Sequence, residues 1–414
     1  MSADLVADLL RHLDASVSPA HSTAHVAKRL SGVGFDELPF TSTGPGGTAL
    51  PPRGFVRSAG LLLAWSGTTG PFRITGAHTD SPGLRVKPRP DAASAGWKQI
   101  AVEVYGGILN NSWLDRDLAV AGRLVTDDGS VVLVDSVEPV ARVPQLAVHL
   151  DREVNDRGLV LDRQVHLTPV WGLGAAQPGE FIANLARGAG VDPTSVVSHE
   201  LNLYDVNPAR LFADGTLLAS GRLDNQVSCW AATTALIDTP SDSGRTAVIA
   251  LFDHEEVGSE STHGAAGPHL RWLLERLNTD GSFRDRCASS ACVSADNAHS
   301  VHPNYPERHE PGHRPVANGG PVVKWNANQR YATTAETAAV FRAACAAAGV
   351  PTQDFVSRNN MPCGSTIGPI SSTLLGIPTV DVGVAQLSMH SAREMCGAQD
   401  PALLARALAA FNTL

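Results

Sequence analysis

Along this 414-residue chain the spacing of hydrophobic and polar positions changes several times, and each change predicts an element. Residues 3–15 and 21–31 carry apolar side chains at helical spacing, so two helices are expected there. A Gly/Pro/Thr-rich loop follows at 41–53. Two hairpin-like runs come next, GFVRSAGLLLAWS and FRITGAHTD, and the second stops at His78 and Asp80. From about 91 to 202 the texture turns to short β-type runs, IAVEVYGG, DLAVAGRLVTDDGSVVLVDS and RQVHLTPV, parted by turn signals such as DDGS and GG. One short helical pattern, PGEFIANLARG, interrupts them.

From about 203 strand and helix alternate. LNLYDVN, TAVIALFD, ACVSADNA and PTVDVGV read as strands. NQVSCWAATTALID, residues 267–277, TAETAAVFRAACAAAG and DPALLARALAAFNTL read as helices. Such alternation predicts an α/β fold, a central sheet flanked by helices. The catalytic-type domain is then discontinuous, 1–90 with 203–414, and residues 91–202 form an inserted β-rich module.

Composition narrows the function classes. A net charge of -9 predicts no basic stripe, which argues against nucleic acid as a partner. No run reaches the roughly 18 to 20 apolar residues of a membrane span. The N-terminus lacks the basic start and unbroken apolar run of a signal peptide. Six cysteines without a CxxC pair argue against a zinc ribbon and suggest a reducing compartment, so the expected location is cytoplasmic.

The chemistry sits where the strands end. TGAHTDSPG supplies His78 and Asp80, SGRLDNQVS supplies Asp224, FDHEEVGS supplies Glu255 and Glu256, SADNAHSVHP supplies Asp296, and QLSMHSARE supplies His390. Ligands of open α/β sheets gather at strand carboxyl ends. Singly, each has a plain reading: a turn, a helix N-cap, a solvated acid pair, a surface histidine. Jointly, carboxylates and imidazoles from five segments suit zinc or another borderline divalent ion. Adjacent residues in extended backbone point to opposite sides, so Glu255 and Glu256 are expected to divide the work. One ligates a metal and the other takes a proton from water. Asp224 is the candidate bridge between two ions, and Asp80 is placed to hydrogen-bond the His78 imidazole.

These residues lie in longer motifs: GAHTDSPGLRVKP, GRLDNQ, FDHEEVGSES, SADNAHSVHPNYPERHEP, KWNANQRYATTAE, RNNMPCGSTIGPI and MHSAREM. In this order, over nearly the whole chain, they resemble the aspartyl aminopeptidase family of dinuclear zinc metallopeptidases. The resemblance implies a zinc aminopeptidase-like fold with a mixed central sheet and an inserted dimerisation or oligomerisation domain. It implies two divalent metal ions per subunit, zinc before cobalt or manganese, held by His78, Asp224, Glu256, Asp296 and His390, with Glu255 as general base. It implies that Lys324 pairs with an acidic substrate side chain, that Tyr331 and His299 bind substrate, and that His149 reaches the site of a neighbouring subunit. It also implies a cis peptide after Asp224. Short peptides with an N-terminal Asp or Glu are then the substrates, and a homo-oligomer, in family terms a dodecamer, the assembly. MPCGSTIGP lacks the spacing of a phosphate loop and reads as a close-packed loop lining the pocket, with Cys363 structural. YGGILNNSWLDRDLAVAGR reads as a packing or subunit-contact segment. Asn360, Met361 and Trp325 depart from the family pattern beside the pocket. Two rival readings are a different metallohydrolase on the same scaffold and a catalytically silent binding protein.

Overall fold

The computed structural model describes residues 3–44, 49–279 and 281–414. The expected loop at 41–53 therefore lies partly outside the described residues. Nine strands form the main sheet, in the spatial order Asp36–Glu37, Arg53–Ser58, Leu61–Ser66, Thr246–Phe252, Phe72–His78, Ala291–Ala295, Thr379–Gly383, Val322–Trp325 and Gln353–Val356. The four in the middle, from Thr246–Phe252 to Thr379–Gly383, run parallel. Their continuous apolar sequence follows from burial on both faces. Ala247, Ile249 and Leu251 join one core with the helices Leu223–Ile237, Ala335–Ala347 and Asp400–Thr413. Val248, Ala250 and Phe252 join another with the helices His269–Leu277 and Ile367–Leu375. The sheet is mixed at its edges, where Leu61–Ser66 and Val322–Trp325 run antiparallel to their inner neighbours.

A second sheet of six antiparallel strands is built from Val131–Asp135, Leu118–Thr126, Val196–Asp205, Gly83–Ser94, Trp97–Tyr105 and Val170–Leu173. It has its own apolar core around Leu84, Ile100, Leu118, Val120, Leu124 and Leu201. The sheet starts at Gly83 and closes at Asp205, so the composition boundaries at 91 and 202 fall inside two of its strands. RQVHLTPV forms no strand before Val170. There the Asp162 carboxylate accepts the amide protons of Gln164 and Val165, a side-chain turn that competes with strand pairing.

A third sheet of five short strands was not foreseen: Arg210–Phe212, Leu217–Ser220, Glu394–Gly397, Ala385–Leu387 and Ala298–His299. It lies beyond the carboxyl ends of Ala291–Ala295 and Thr379–Gly383. The pocket-lining loop read in MPCGSTIGP extends to Thr366, whose hydroxyl accepts the Gly368 amide proton and caps the helix Ile367–Leu375. No helix among the described residues is long and apolar enough to cross a membrane.

Candidate functional site

His78 ends its strand, Asp296 follows the end of the next, and Glu255 and Glu256 lie just past the end of a third. Asp224 enters at the start of the helix Leu223–Ile237, where the Asp224–Asn225 peptide is cis. His390 comes from the turn between the strands Ala385–Leu387 and Glu394–Gly397. Parallel pairing brings the three strand ends to one edge of the sheet. His254, Arg222 and His390, which flank the cluster, have φ of 64°, 59° and 67°. Left-handed backbone at a non-glycine residue costs on the order of 1–3 kcal/mol and persists where surrounding structure enforces it.

The donors converge around Asp224. Its Oδ1 is 3.3 Å from His78 Nε2, and its Oδ2 is 3.6 Å from His390 Nε2. Asp296 Oδ1 lies 3.5 Å from His78 Nε2, and Glu256 Oε2 lies 3.5 Å from His390 Nε2. Glu255 Oε2 stands 4.0 Å from His78 Nε2. Two donor groups thus share one carboxylate. Glu255–Val257 is a 3-10 turn, so the two glutamates diverge by rotation about that turn rather than by strand alternation as the sequence suggested.

Burial and charge set the protonation of this cluster. For Asp224 burial opposes the charge, but contacts with His390 and His78 outweigh it and hold the carboxyl below the usual range. Burial likewise opposes charge on His390, while Asp224 and Glu256 push it up to about 10. His78 is raised too, since Asp224, Asp296 and Asp80 outweigh its burial. Burial, with Asp296 and Asp80 nearby, pushes Glu255 up to about 8. Glu256 is raised by burial and by Asp224. So many carboxylates around two imidazoles call for additional positive charge. Asp224 Oδ1 is buried and accepts no hydrogen bond. His78, Asp224 and Glu256 offer ligand atoms within 4.8 Å of one another. The donor set fits divalent zinc.

A shell of hydrogen bonds fixes the donors. His78 Nδ1 pairs with the main-chain carbonyl of Asp80 at 3.0 Å, closer than the 3.4 Å to the Asp80 carboxylate. That carboxylate instead accepts the amide protons of Glu255 and Glu256, both at 3.1 Å. Asp80 therefore ties the glutamate turn to the His78 strand end. Glu394, which the sequence reading passed over, accepts the Asp224 amide proton at 2.9 Å and that of His390 at 2.8 Å. Burial and Asp224 push Glu394 up to about 8. Its signal was an acid in the MHSAREM motif next to a named ligand.

These donors open onto a cavity of about 420 Å³, lined also by His299, Lys324, Tyr331, Phe355, Thr366 and Met389. Lys324 is 2% exposed. Its Nζ donates to Asp296 Oδ2 at 3.3 Å and to the Asn297 carbonyl at 3.2 Å, and it stands 5.0 Å from the Tyr331 ring centre. His299 presents its ring edge-on to Phe355. Asp381, also missed, is fully buried behind the cavity wall. It accepts the Ala332 amide proton and the Thr366 hydroxyl, both at 2.6 Å, and so ties the segment after Tyr331 to the loop at Thr366. His149 lies in an exposed turn and does not line this cavity. Cys363 is a free, half-buried thiol next to the lining residue Gly364, and the Trp325 indole donates to Asp354 Oδ1 at 2.7 Å.

The profile of the aminopeptidase I zinc metalloprotease family, M18, matches residues 12–412. A probable M18 family aminopeptidase 2 of Streptomyces coelicolor is 51% identical over 419 residues, covering 98% of this chain and 96% of the relative. The structure resembles a cryo-EM structure of an Ape4 and Nbr1 complex at a TM-score of 0.92 and 33% identity, over 99% of this chain and 85% of that one. It also resembles an S. cerevisiae mApe1 dodecamer at a TM-score of 0.84 and 27% identity, over 99% of this chain and 96% of that one. On the family profile and the close relative, each spanning nearly the whole chain, this chain belongs to the M18 family of zinc aminopeptidases.

Proposed function

We propose that this zinc aminopeptidase is dinuclear and releases N-terminal Asp and Glu from short peptides. The observation that carries the reading is Asp224, with one carboxylate oxygen beside each imidazole. His78 and Asp296 would hold one ion with Asp224, and His390 and Glu256 would hold the other. Two bound zinc ions supply an acidified water and Lewis acidity toward the scissile carbonyl. Glu255, unpaired with either imidazole at hydrogen-bond distance, would take a proton from a water as its oxygen bonds to the scissile carbonyl carbon, and would pass that proton to the amine nitrogen as the C–N bond breaks. Asp80 keeps Glu255 in place by accepting its amide proton.

Specificity rests on Lys324. An ammonium has three protons, and two are used by Asp296 and Asn297. The third is free for a substrate carboxylate, and burial makes a neutral substrate side chain a poor replacement. Lys324→Ala should lower kcat/KM for Asp- and Glu-initiated peptides about 10- to 100-fold, the range of one charged hydrogen bond. Leu-initiated peptides should be turned over as before, with both zincs retained. A peptide panel measures this. Equal activity of the unaltered protein on Asp and Leu would keep the aminopeptidase and remove the Lys324 assignment.

The assembly is proposed to be a homo-oligomer, a dodecamer as in the mApe1 structure. Large apolar side chains on the second sheet and its loops support this: Leu150 is 74% exposed, Val160 83% and Leu173 71%. His149 belongs to the same exposed stretch, which suits a residue that completes a neighbouring subunit's site. Six unpaired cysteines suit a cytoplasmic location.

A further inference from the structure

The segment Tyr105-Gly106-Gly107 leaves the second sheet and runs against the site. Tyr105 is the last residue of the strand Trp97–Tyr105, and its hydroxyl donates to Asp80 Oδ2 at 2.7 Å. Its ring is buried, and the Arg85 guanidinium from the paired strand lies 3.7 Å over the ring centre. Asp80 thus accepts three bonds: the Glu255 amide, the Glu256 amide and the Tyr105 hydroxyl. Two of them hold the glutamate turn, and the third comes from another sheet. Gly106 has φ of 68°, and a Cβ there would sit 3.2 Å from the Glu256 Cβ. The Gly107 carbonyl is 3.0 Å from His390 Nδ1, and the Leu109 amide donates to the His390 carbonyl at 3.0 Å. One short run therefore touches Asp80, Glu256 and His390, although its sequence carries no candidate ligand.

We propose that Tyr105 is a positioning residue: through Asp80 it sets the Glu255–Glu256 turn, so the seating of the second sheet governs the geometry of the catalytic cluster. This rests on the dinuclear aminopeptidase reading. The two amides take one Asp80 oxygen each, and the Tyr105 hydroxyl adds a second bond at Oδ2, so it ties the oxygen that holds the Glu256 amide to the second sheet. Partners of this outer kind, when removed, cost about 10- to 100-fold in metal affinity or activity.

The test compares Tyr105→Phe, Asp80→Asn and the double variant. Tyr105→Phe keeps the ring and its stacking and removes only the hydroxyl. The expected result is a fall in kcat of about 10-fold or more with KM within about twofold, and zinc lost to a chelator about 10-fold more readily. The melting temperature of chelator-stripped protein should match that of the unaltered protein. Adding Tyr105→Phe to Asp80→Asn should cause no further loss, because the tyrosine acts through the aspartate. Unaltered kcat and zinc retention in Tyr105→Phe would overturn the proposal, as would fully additive losses, or losses that follow only a lower melting temperature. Zinc retention is read without turnover. An unaltered protein that failed to hydrolyse peptides would sink the proposed function, and the zinc comparison would still decide the role of Tyr105.

Discussion

Glu255→Gln is expected to reduce kcat about 10²- to 10⁴-fold, the usual contribution of a general base, with both zincs still bound. The amide matches the carboxylate in shape and cannot take a proton from water. The backbone bond from the Glu255 amide to Asp80 is untouched by the change, so the turn should keep its form. Glu255 stands 4.0 Å from His78 Nε2, whereas Asp224 and Asp296 stand at 3.3 and 3.5 Å. The longer distance is what favours Glu255 as the base in the proposed mechanism. Steady-state kinetics with a zinc count on the same sample measures both quantities. Loss of a zinc in the variant would make Glu255 a ligand, and retention of full kcat would remove it from the mechanism.

Asp224→Asn is expected to be more damaging. Its two oxygens face different imidazoles, so replacing one oxygen by an NH₂ group turns a donor toward one of the two cation positions. Zinc content should fall from two to one or fewer per chain. Turnover should drop by at least about 10³-fold, since Lewis-acid stabilisation is worth several kcal/mol. The side chain is buried between His78 and His390, and the amide fills the same volume, so the protein should still fold. Elemental analysis and kinetics on the purified variant measure the effect. Two zincs held as firmly as before would contradict a bridging role.

Much of this arrangement was legible in the sequence because the central strands are buried on both faces. Full burial writes a continuous apolar run such as TAVIALF, and the abrupt change to Asp253, His254, Glu255 and Glu256 marks its end. Parallel pairing then guarantees that residues at several such ends meet. Short strands were illegible for the opposite reason. Ala298–His299 and Ala385–Leu387 are too brief to develop a period, and their pairing joins residues far apart in the chain. The second sheet was read as β-rich, but two of its strands, Gly83–Ser94 and Val196–Asp205, run past the change in composition.

The ligand candidates had local signals, and their supports did not. Glu394 acts on Asp224 across 170 positions, and Gly107 acts on His390 across 283, through a main-chain carbonyl that any residue type would carry. Asp80 was legible as a partner of His78, yet its carboxylate serves the Glu255 and Glu256 amides, a role visible only once the 3-10 turn is in place. Asp381 is buried behind the cavity, where an acid in PTVDVGV reads simply as an interruption of a strand.

On the proposed mechanism, two zinc ions held by the Asp224 cluster would drive removal of an acidic N-terminal residue. The most direct measurement titrates chelator-stripped protein with zinc while following release of the first residue from an Asp-initiated peptide. No turnover is expected without metal, and the rate should rise to a plateau at two zincs per chain. Full turnover by the stripped protein, or none at any zinc level, would contradict that mechanism.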